Sequence, residues 1–225
     1  MGLDEALLER PETPPTLRFY TWSPDTLSLG YFQRWRDVPN ASSAGAVVRR
    51  ITGGGAIHHT GELTFSIVLA RDHPLYRGPV RDSYARVHDA IAATLGTLGV
   101  SAERRGAAEV LSDVAETGMC FHESTPLDLV WLDRKGVGSA QRRRSNRVLH
   151  HGSIKLSPTP LETGVATLAE AGVTIAPEEL AGALVETFEE AFGIRLEPGE
   201  PTGVELDEAS ARGGRYRETE FVRRR

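Results

Sequence analysis

An α+β fold, with a mixed and largely antiparallel sheet flanked by helices, is what the sequence predicts on three observations. Two segments carry apolar residues at spacings of three and four, the signature of amphipathic helices. Five short runs are rich in β-branched, aromatic and leucine residues. These runs fall in clusters around the helices and do not alternate with them, which disfavours a doubly wound parallel sheet.

Along the chain, Leu17 to Trp22, Ala46 to Ile51 and Leu63 to Ala70 read as the first strands. Val80, Tyr84, Val87, Ile91, Leu95 and Leu98 then form one helical stripe, with Pro79 placed to open the helix and Gly99 to end it. Leu127 to Leu132 and Val148 to Leu156 read as further strands. A second helix follows, its stripe Leu180, Leu184, Phe188 and Phe192 opened by Pro177 and closed by Gly193, with Glu178 and Glu179 suiting the positive end of the helix dipole. No repeat or long Gly/Ser/Pro linker interrupts the 225 residues, so one domain over 1–225 is expected.

Composition narrows the function classes. A single cysteine, Cys120, cannot form an internal disulfide, which points to a reducing, cytoplasmic setting. The longest stretch without Asp, Glu, Lys or Arg is 13 residues, Ala90 to Ala102, too short to cross a bilayer, and the first residues give no signal-peptide pattern. The net charge of -5 hides six positive charges at Arg134, Lys135, Arg142, Arg143, Arg144 and Arg147, against -11 in the remainder. One basic strip on an acidic body suits a localised anionic partner and not a nucleic acid, although a solvated strand edge explains it nearly as well. Among 26 basic residues only Lys135 and Lys155 are lysines. An arginine-biased chain that keeps a lysine suggests a need for a compact ammonium.

Two constellations carry chemistry. The first runs from Arg49 and Arg50 through Ile51, Thr52, Gly53, Gly54, Gly55, Ala56 and Ile57 to His58 and His59. A glycine turn supplies positive φ, and it also lets a ligand approach backbone N–H donors closely. It lacks the Gly-Lys-Ser/Thr ending of a P-loop. The second contains Cys120, Phe121 and His122, then Asp128, then Lys135 to Gln141, then Leu149, His150, His151, Gly152 and Ser153. Cys120 lies outside any periodic strand, and the basic strip begins 14 residues later, surroundings that favour a reactive thiolate. His122 is a candidate base for it. The paired histidines do not make a metal site, because neighbours on a strand face opposite ways and no CxxC or HExxH motif is present.

Together these segments resemble the lipoate-protein ligase and octanoyltransferase superfamily, a relative of the biotin protein ligases. Arg49 to His59 is similar to its Arg-Arg-x-Thr/Ser-Gly-Gly-x-Ala-x-x-His signature, and Lys135 to Ala140 to its Lys-x-x-Gly-Ser-Ala segment, followed by Leu149 to Gly152. The resemblance covers about residues 3–156. Cys120-Phe121, eight residues before Asp128 and fifteen before Lys135, is most similar to the Gram-positive type of octanoyltransferase, whereas Gly55 is the residue that the ATP-dependent ligases show.

The resemblance implies transfer of an octanoyl or lipoyl group to the lysine of a lipoyl domain, through a thioester on Cys120 and without a cofactor. Lys135 would hold the acyl carbonyl. Arg50, Gly53, Gly54, Gly55, Ala56, Ile57, His58, His59, Gly138, Ser139, Ala140, His151 and Gly152 would bind substrate. An acyl carrier protein or glycine cleavage H protein would be the donor, and lipoyl domains of 2-oxoacid dehydrogenases or H protein the acceptors. The alternative is an ATP- and Mg²⁺-dependent ligase in which Arg50 and the Gly55 to His58 backbone cradle phosphate. A non-catalytic lipoyl-domain binding protein is the third reading.

Overall fold

The computed structural model describes residues 1–144 and 146–224. In chain order its elements are α1 (Gly2–Glu9), β1 (Thr16–Tyr20), β2 (Thr26–Leu29), β3 (Ala46–Arg49), β4 (Ile57–His59), β5 (Glu62–Ala70), α2 (Val80–Thr97), β6 (Glu103–Arg104), β7 (Leu129–Trp131), β8 (Arg134–Arg143), β9 (Arg147–Lys155), α3 (Pro177–Phe192), α4 (Gly203–Gly213) and α5 (Thr219–Val222), with short 3-10 turns between them. Six strands form one sheet in the order β1-β5-β9-β8-β7-β6, every neighbour antiparallel. A smaller sheet, β3-β2-β4, pairs β2 with β3 in parallel and with β4 antiparallel. The predicted α+β class, mixed and largely antiparallel, holds. Among the described residues no helix is long and apolar enough to cross a membrane.

Alternation along β5 and β9 decides where the site lies. Leu63, Phe65, Ile67 and Leu69, with Val148 and Ile154, pack under Ile91 and Leu95 of α2 and Leu184 and Phe188 of α3. The intervening residues face the other way, so Thr64 pairs across the strands with Ser153, and Ser66 with His151. That polar face is covered by the small sheet and by α1. Leu7, Leu8, Val48 and Ile51 pack onto Val68 and Leu149 there. Asp4 of α1, buried, accepts from Arg18 Nη1 at 2.6 Å and Ser66 Oγ at 2.7 Å, pinning the helix across the sheet.

The two predicted helices form as read. Gly193 caps α3 at φ 61°, the left-handed conformation that favours glycine. The sequence reading passed over α1, β2, β4 and β8 as elements. It also passed over α4, although Thr202 and Glu205 spell a capping box in which Thr202 Oγ1 accepts from Glu205 N at 3.3 Å.

The basic strip is neither a strand edge nor a free docking face. Arg134, Lys135, Arg142 and Arg143 lie on β8, an interior strand between β9 and β7, and Arg147 opens β9; most of these charges meet partners within the chain. Arg134 pairs with Glu170 at 3.0 Å and Arg144 with Glu9 at 2.7 Å, while Arg147, buried, donates to the carbonyls of Pro11 and Thr13. Arg143 donates to Gln141 Oε1 at 2.9 Å. Arg142, half-buried, lies over the Tyr31 ring.

Both lysines are buried. Lys155 Nζ donates to Glu162 Oε2 at 2.6 Å, Glu62 Oε2 at 2.8 Å and the His58 carbonyl at 2.8 Å. Burial opposes its charge, but Glu162 and Glu62 outweigh burial and hold the ammonium above its usual range. Lys155→Met is therefore expected to strand two buried carboxylates and cost about 3–5 kcal/mol of stability. Urea denaturation checks this, and a loss below about 1 kcal/mol would contradict it.

Candidate active site

A cavity of about 310 Å³ opens where the polar face of the large sheet meets the small sheet, within the usual size range for small-molecule sites. Its walls come from Tyr20 and Trp22 at the end of β1, Arg50, Gly53, Gly54, Ile57 and His59 around β4, Thr64 of β5, Tyr84 of α2, Gly138 to Gln141 of β8, and His151 to Ser153 of β9. Met1 and Cys120 complete it. Most of the expected binding residues thus converge. Gly55, Ala56, His58 and Lys135 stand behind the wall. Tyr20, Trp22, Thr64 and Tyr84 were missed by sequence reasoning, while Gln141 and Ser153 fell in the second constellation without being given a binding role. For Thr64 and Ser153 the signal was the polar half of strand alternation.

The glycine loop is shaped by Arg50. Its Nε donates to Thr52 Oγ1 at 3.2 Å, Nη1 to Ser28 O and Oγ at 2.8 and 3.1 Å, and Nη2 to the carbonyls of Gly53 and Gly55 at 2.8 and 2.7 Å. A guanidinium has five N–H donors, and all five are spent on the protein. Arg50 is therefore loop scaffold and not the phosphate cradle of the ligase reading, and these residues do not fit a nucleotide phosphate at Arg50. The Ala56 N–H is also taken, by the Gly118 carbonyl at 2.8 Å, so it offers nothing to an oxyanion. Gly55 has a local explanation. A Cβ there would lie 2.8 Å from Cys120 N and 3.0 Å from its Cα, so the residue must be glycine for the loop to abut the cysteine.

Cys120 opens a 3-10 turn, Cys120–His122, and is half-buried against the cavity. Its N–H donates to the Ala56 carbonyl at 2.7 Å, and Met119 bridges to Ala56, so the turn is stitched to the loop before β4. Lys135 reaches it from β8. The ammonium lies 2.9 Å from Asp128 Oδ2, 2.8 Å from the Cys120 carbonyl, 3.0 Å from the Glu123 carbonyl and 3.8 Å from Cys120 Sγ. Burial opposes the charge, yet Cys120 and Asp128 outweigh burial and hold Lys135 above its usual range. Lys135 is thus a fixed cation beside the sulfur. Three oxygens take its three protons, so an acyl carbonyl would have to displace one of the backbone oxygens.

The histidines have other work. His122 is turned away from the thiol: Nδ1 meets Thr117 Oγ1 at 3.0 Å and Nε2 meets the Thr163 carbonyl at 2.9 Å, so it is neither a base for Cys120 nor a solvent-facing residue. His58 points to Asp25, at 3.0 Å. His59 donates from Nδ1 to Glu62 Oε1 at 2.6 Å, accepts at Nε2 from Ser28 Oγ at 2.7 Å, and stacks on Trp22 at 4.1 Å. His151 meets Thr52 Oγ1 at 2.7 Å, tying the glycine loop to β9. His150 faces the opposite side of the sheet and meets Ser139 Oγ at 2.9 Å.

Burial depresses His59, His88, His150 and His151, the last to about 4, so all are neutral in the folded protein at neutral pH. Unfolded histidine binds its proton near 6.5, so between there and about 4 the unfolded state holds more protons. Stability is full above that window and falls as pH drops through it. Between about pH 7.5 and about pH 5, His151 alone should cost roughly 2 kcal/mol. Denaturant unfolding at the two pH values tests this, with His151→Asn flattening part of the drop, and equal stabilities would contradict it.

Residues 1–171 match the family described as the lipoyl protein ligase A/B catalytic domain. The octanoyltransferase LipM of Moorella thermoacetica is 45% identical over 164 residues, spanning 70% of this chain and 60% of that relative. The octanoyltransferase LipM of Kyrpidia tusciae is 34% identical over 250 residues, spanning 96% of this chain and 90% of the relative. The fold is shared with a T. acidophilum protein solved with bound lipoic acid, at TM-score 0.80 and 24% identity over 100% of this chain and 92% of that one. It is shared too with a lipoate-protein ligase A solved with ATP, at TM-score 0.79 and 23% identity over 99% and 92%.

Proposed function

From the premise that the chain belongs to the lipoyl protein ligase A/B catalytic domain family, we propose that it is an octanoyltransferase of protein lipoylation working through a thioester on Cys120. The observation that carries this reading is the Cys120 sulfur on the wall of an aromatic-lined cavity with the buried Lys135 ammonium 3.8 Å away. The ammonium is placed to stabilise negative charge that develops on the acyl oxygen as the sulfur attacks.

In the first half-reaction the thiolate attacks the carbonyl carbon of an octanoyl thioester. The carbon–sulfur bond to the carrier breaks, and the carrier thiolate leaves to be protonated by water. In the second, the neutral lysine amine of a lipoyl domain attacks the Cys120 thioester, the carbon–sulfur bond breaks, the cysteine leaves as thiolate and the proton lost from nitrogen passes to water. Splitting one transfer into two is the gain of covalent catalysis. The acyl chain lies against Trp22, Tyr84 and Ile57, where six methylenes contribute about 5 kcal/mol of binding at about 0.8 kcal/mol each. The donor is an acyl carrier protein or glycine cleavage H protein, and the acceptors are lipoyl domains of 2-oxoacid dehydrogenases or H protein. No ATP is required, in keeping with an Arg50 whose donors are all committed.

Intact-mass measurement after incubation with octanoyl-loaded acyl carrier protein in the absence of ATP tests the reading. An added octanoyl group that maps to Cys120 is expected. An unmodified chain, with transfer only when ATP and free acid are supplied, would overturn it in favour of the ligase.

A further inference from the structure

Apart from Arg142 of β8, the positive charge beside the cavity lies outside the strip. Arg34, Arg36 and Arg223 are exposed and line an open hollow of about 480 Å³ with Trp35, over whose ring Arg223 sits at 4.6 Å. Arg224 lies over the Tyr31 ring at 3.9 Å and donates to the Tyr31 carbonyl at 2.9 Å, and Arg142 lies over the same ring at 5.2 Å. Arg34, Arg36 and Arg223 surround Trp35, and Arg142 and Arg224 lie over Tyr31, so five arginines gather around residues 31–36. Elsewhere arginines such as Arg18, Arg104, Arg134 and Arg144 sit against carboxylates. Among the described residues none of the five is in an ion pair, and the acid in the same turn is Asp37. Against the net charge of -5, five positive charges here leave -10 on the rest of the chain.

The face borders the cavity. The Phe32 ring, 61% exposed, lies beside Gly53 of the cavity wall. Gln33 Nε2 donates to the Gly118 carbonyl at 2.5 Å, two residues before Cys120, and Arg142 follows Gln141 of the wall. An acyl group reaching Cys120 on a carrier leaves that carrier's surface resting at the mouth, because the arm holding the thioester is covalently joined to it.

We propose that this arginine face docks the acidic surface of the carrier protein that delivers the octanoyl thioester, a proposal that rests on the acyl-enzyme reading above. Charge complementarity supports the choice: this arginine face lies near the thiol on a chain whose remainder is net negative. Such attraction raises encounter rates and is screened as the Debye length shortens from about 10 Å at 0.1 M salt.

The test measures Cys120 acylation by octanoyl-loaded acyl carrier protein and by octanoyl-pantetheine, which has no protein surface to steer. The unsubstituted chain, Arg34→Glu/Arg36→Glu and the milder Arg34→Gln/Arg36→Gln are compared across a salt series. With the carrier, the double glutamate variant should lose about 10-fold in rate at low salt, the glutamine variant less, and both losses should shrink to under about 2-fold near 0.5 M salt. With octanoyl-pantetheine all three should react alike. An unchanged carrier rate overturns the docking proposal, and so does an equal loss with both donors, which would assign the arginines to the site or the fold. Failure of the unsubstituted chain to become acylated by either donor refutes instead the acyl-enzyme reading on which docking depends.

Discussion

Cys120→Ala is expected to abolish octanoyl transfer from a thioester donor, with a loss on the order of 10³ or more, while the protein remains folded. The side chain is half-buried at the cavity wall and sits only at the margin of the small cluster of Ile57, Phe121 and Val165. The hydrogen bonds that stitch its turn to Ala56 use the backbone, which alanine keeps. Transfer measured beside circular dichroism and a thermal melt separates chemistry from folding. Normal transfer by the alanine variant would remove the covalent intermediate.

Lys135→Arg should fail nearly as badly as Lys135→Ala, with a loss on the order of 10²–10³ in acylation rate. The ammonium fills a cage of Asp128, two backbone carbonyls and the Cys120 sulfur, at distances of 2.8 to 3.8 Å. A planar fork cannot present its donors to three converging oxygens. It would also crowd Gly138, where even a Cβ would lie 2.9 Å from Lys135 Cε. Lys135→Ala leaves Asp128 buried without its cation, so stability falls as well, by about 3–5 kcal/mol. Single-turnover acylation, read at a temperature where each variant is folded, isolates the rate effect. Near-normal acylation by the arginine variant would show that positive charge alone suffices.

The candidate site was legible in the sequence because its chemistry is carried by rare residues. One cysteine and two lysines in a chain of 26 basic residues mark positions where an arginine or a hydrophobe would not serve. Both lysines are indeed enclosed by carboxylates and carbonyls. Gly138 and Gly152 stand out for a similar reason. A Cβ on Gly152 would lie 2.5 Å from the Gly138 carbonyl, so the two strands close up only with glycine there. Tyr20, Trp22 and Tyr84 were not legible as cavity residues, because an aromatic on a strand or helix looks the same whether it faces a core or a cavity.

By itself the sequence determined what local rules reach: the two helices with their Pro and Gly ends, the apolar runs of β5 and β9, and the α+β class. Only the tertiary structure decided how each polar group is spent. Arg50 lines the cavity as expected, but its N–H donors are spent on Thr52, Ser28, Gly53 and Gly55. His122 was a candidate base and is held by Thr117 and Thr163. Most charges of the 134–147 strip found partners within the chain, while Arg34, Arg36 and Arg223 stay exposed beside Trp35. A hydrogen bond or ion pair is settled by partners that are distant in sequence, and burial makes leaving one unmade costly, so the fold assigns these side chains in a way that spacing along the chain does not encode.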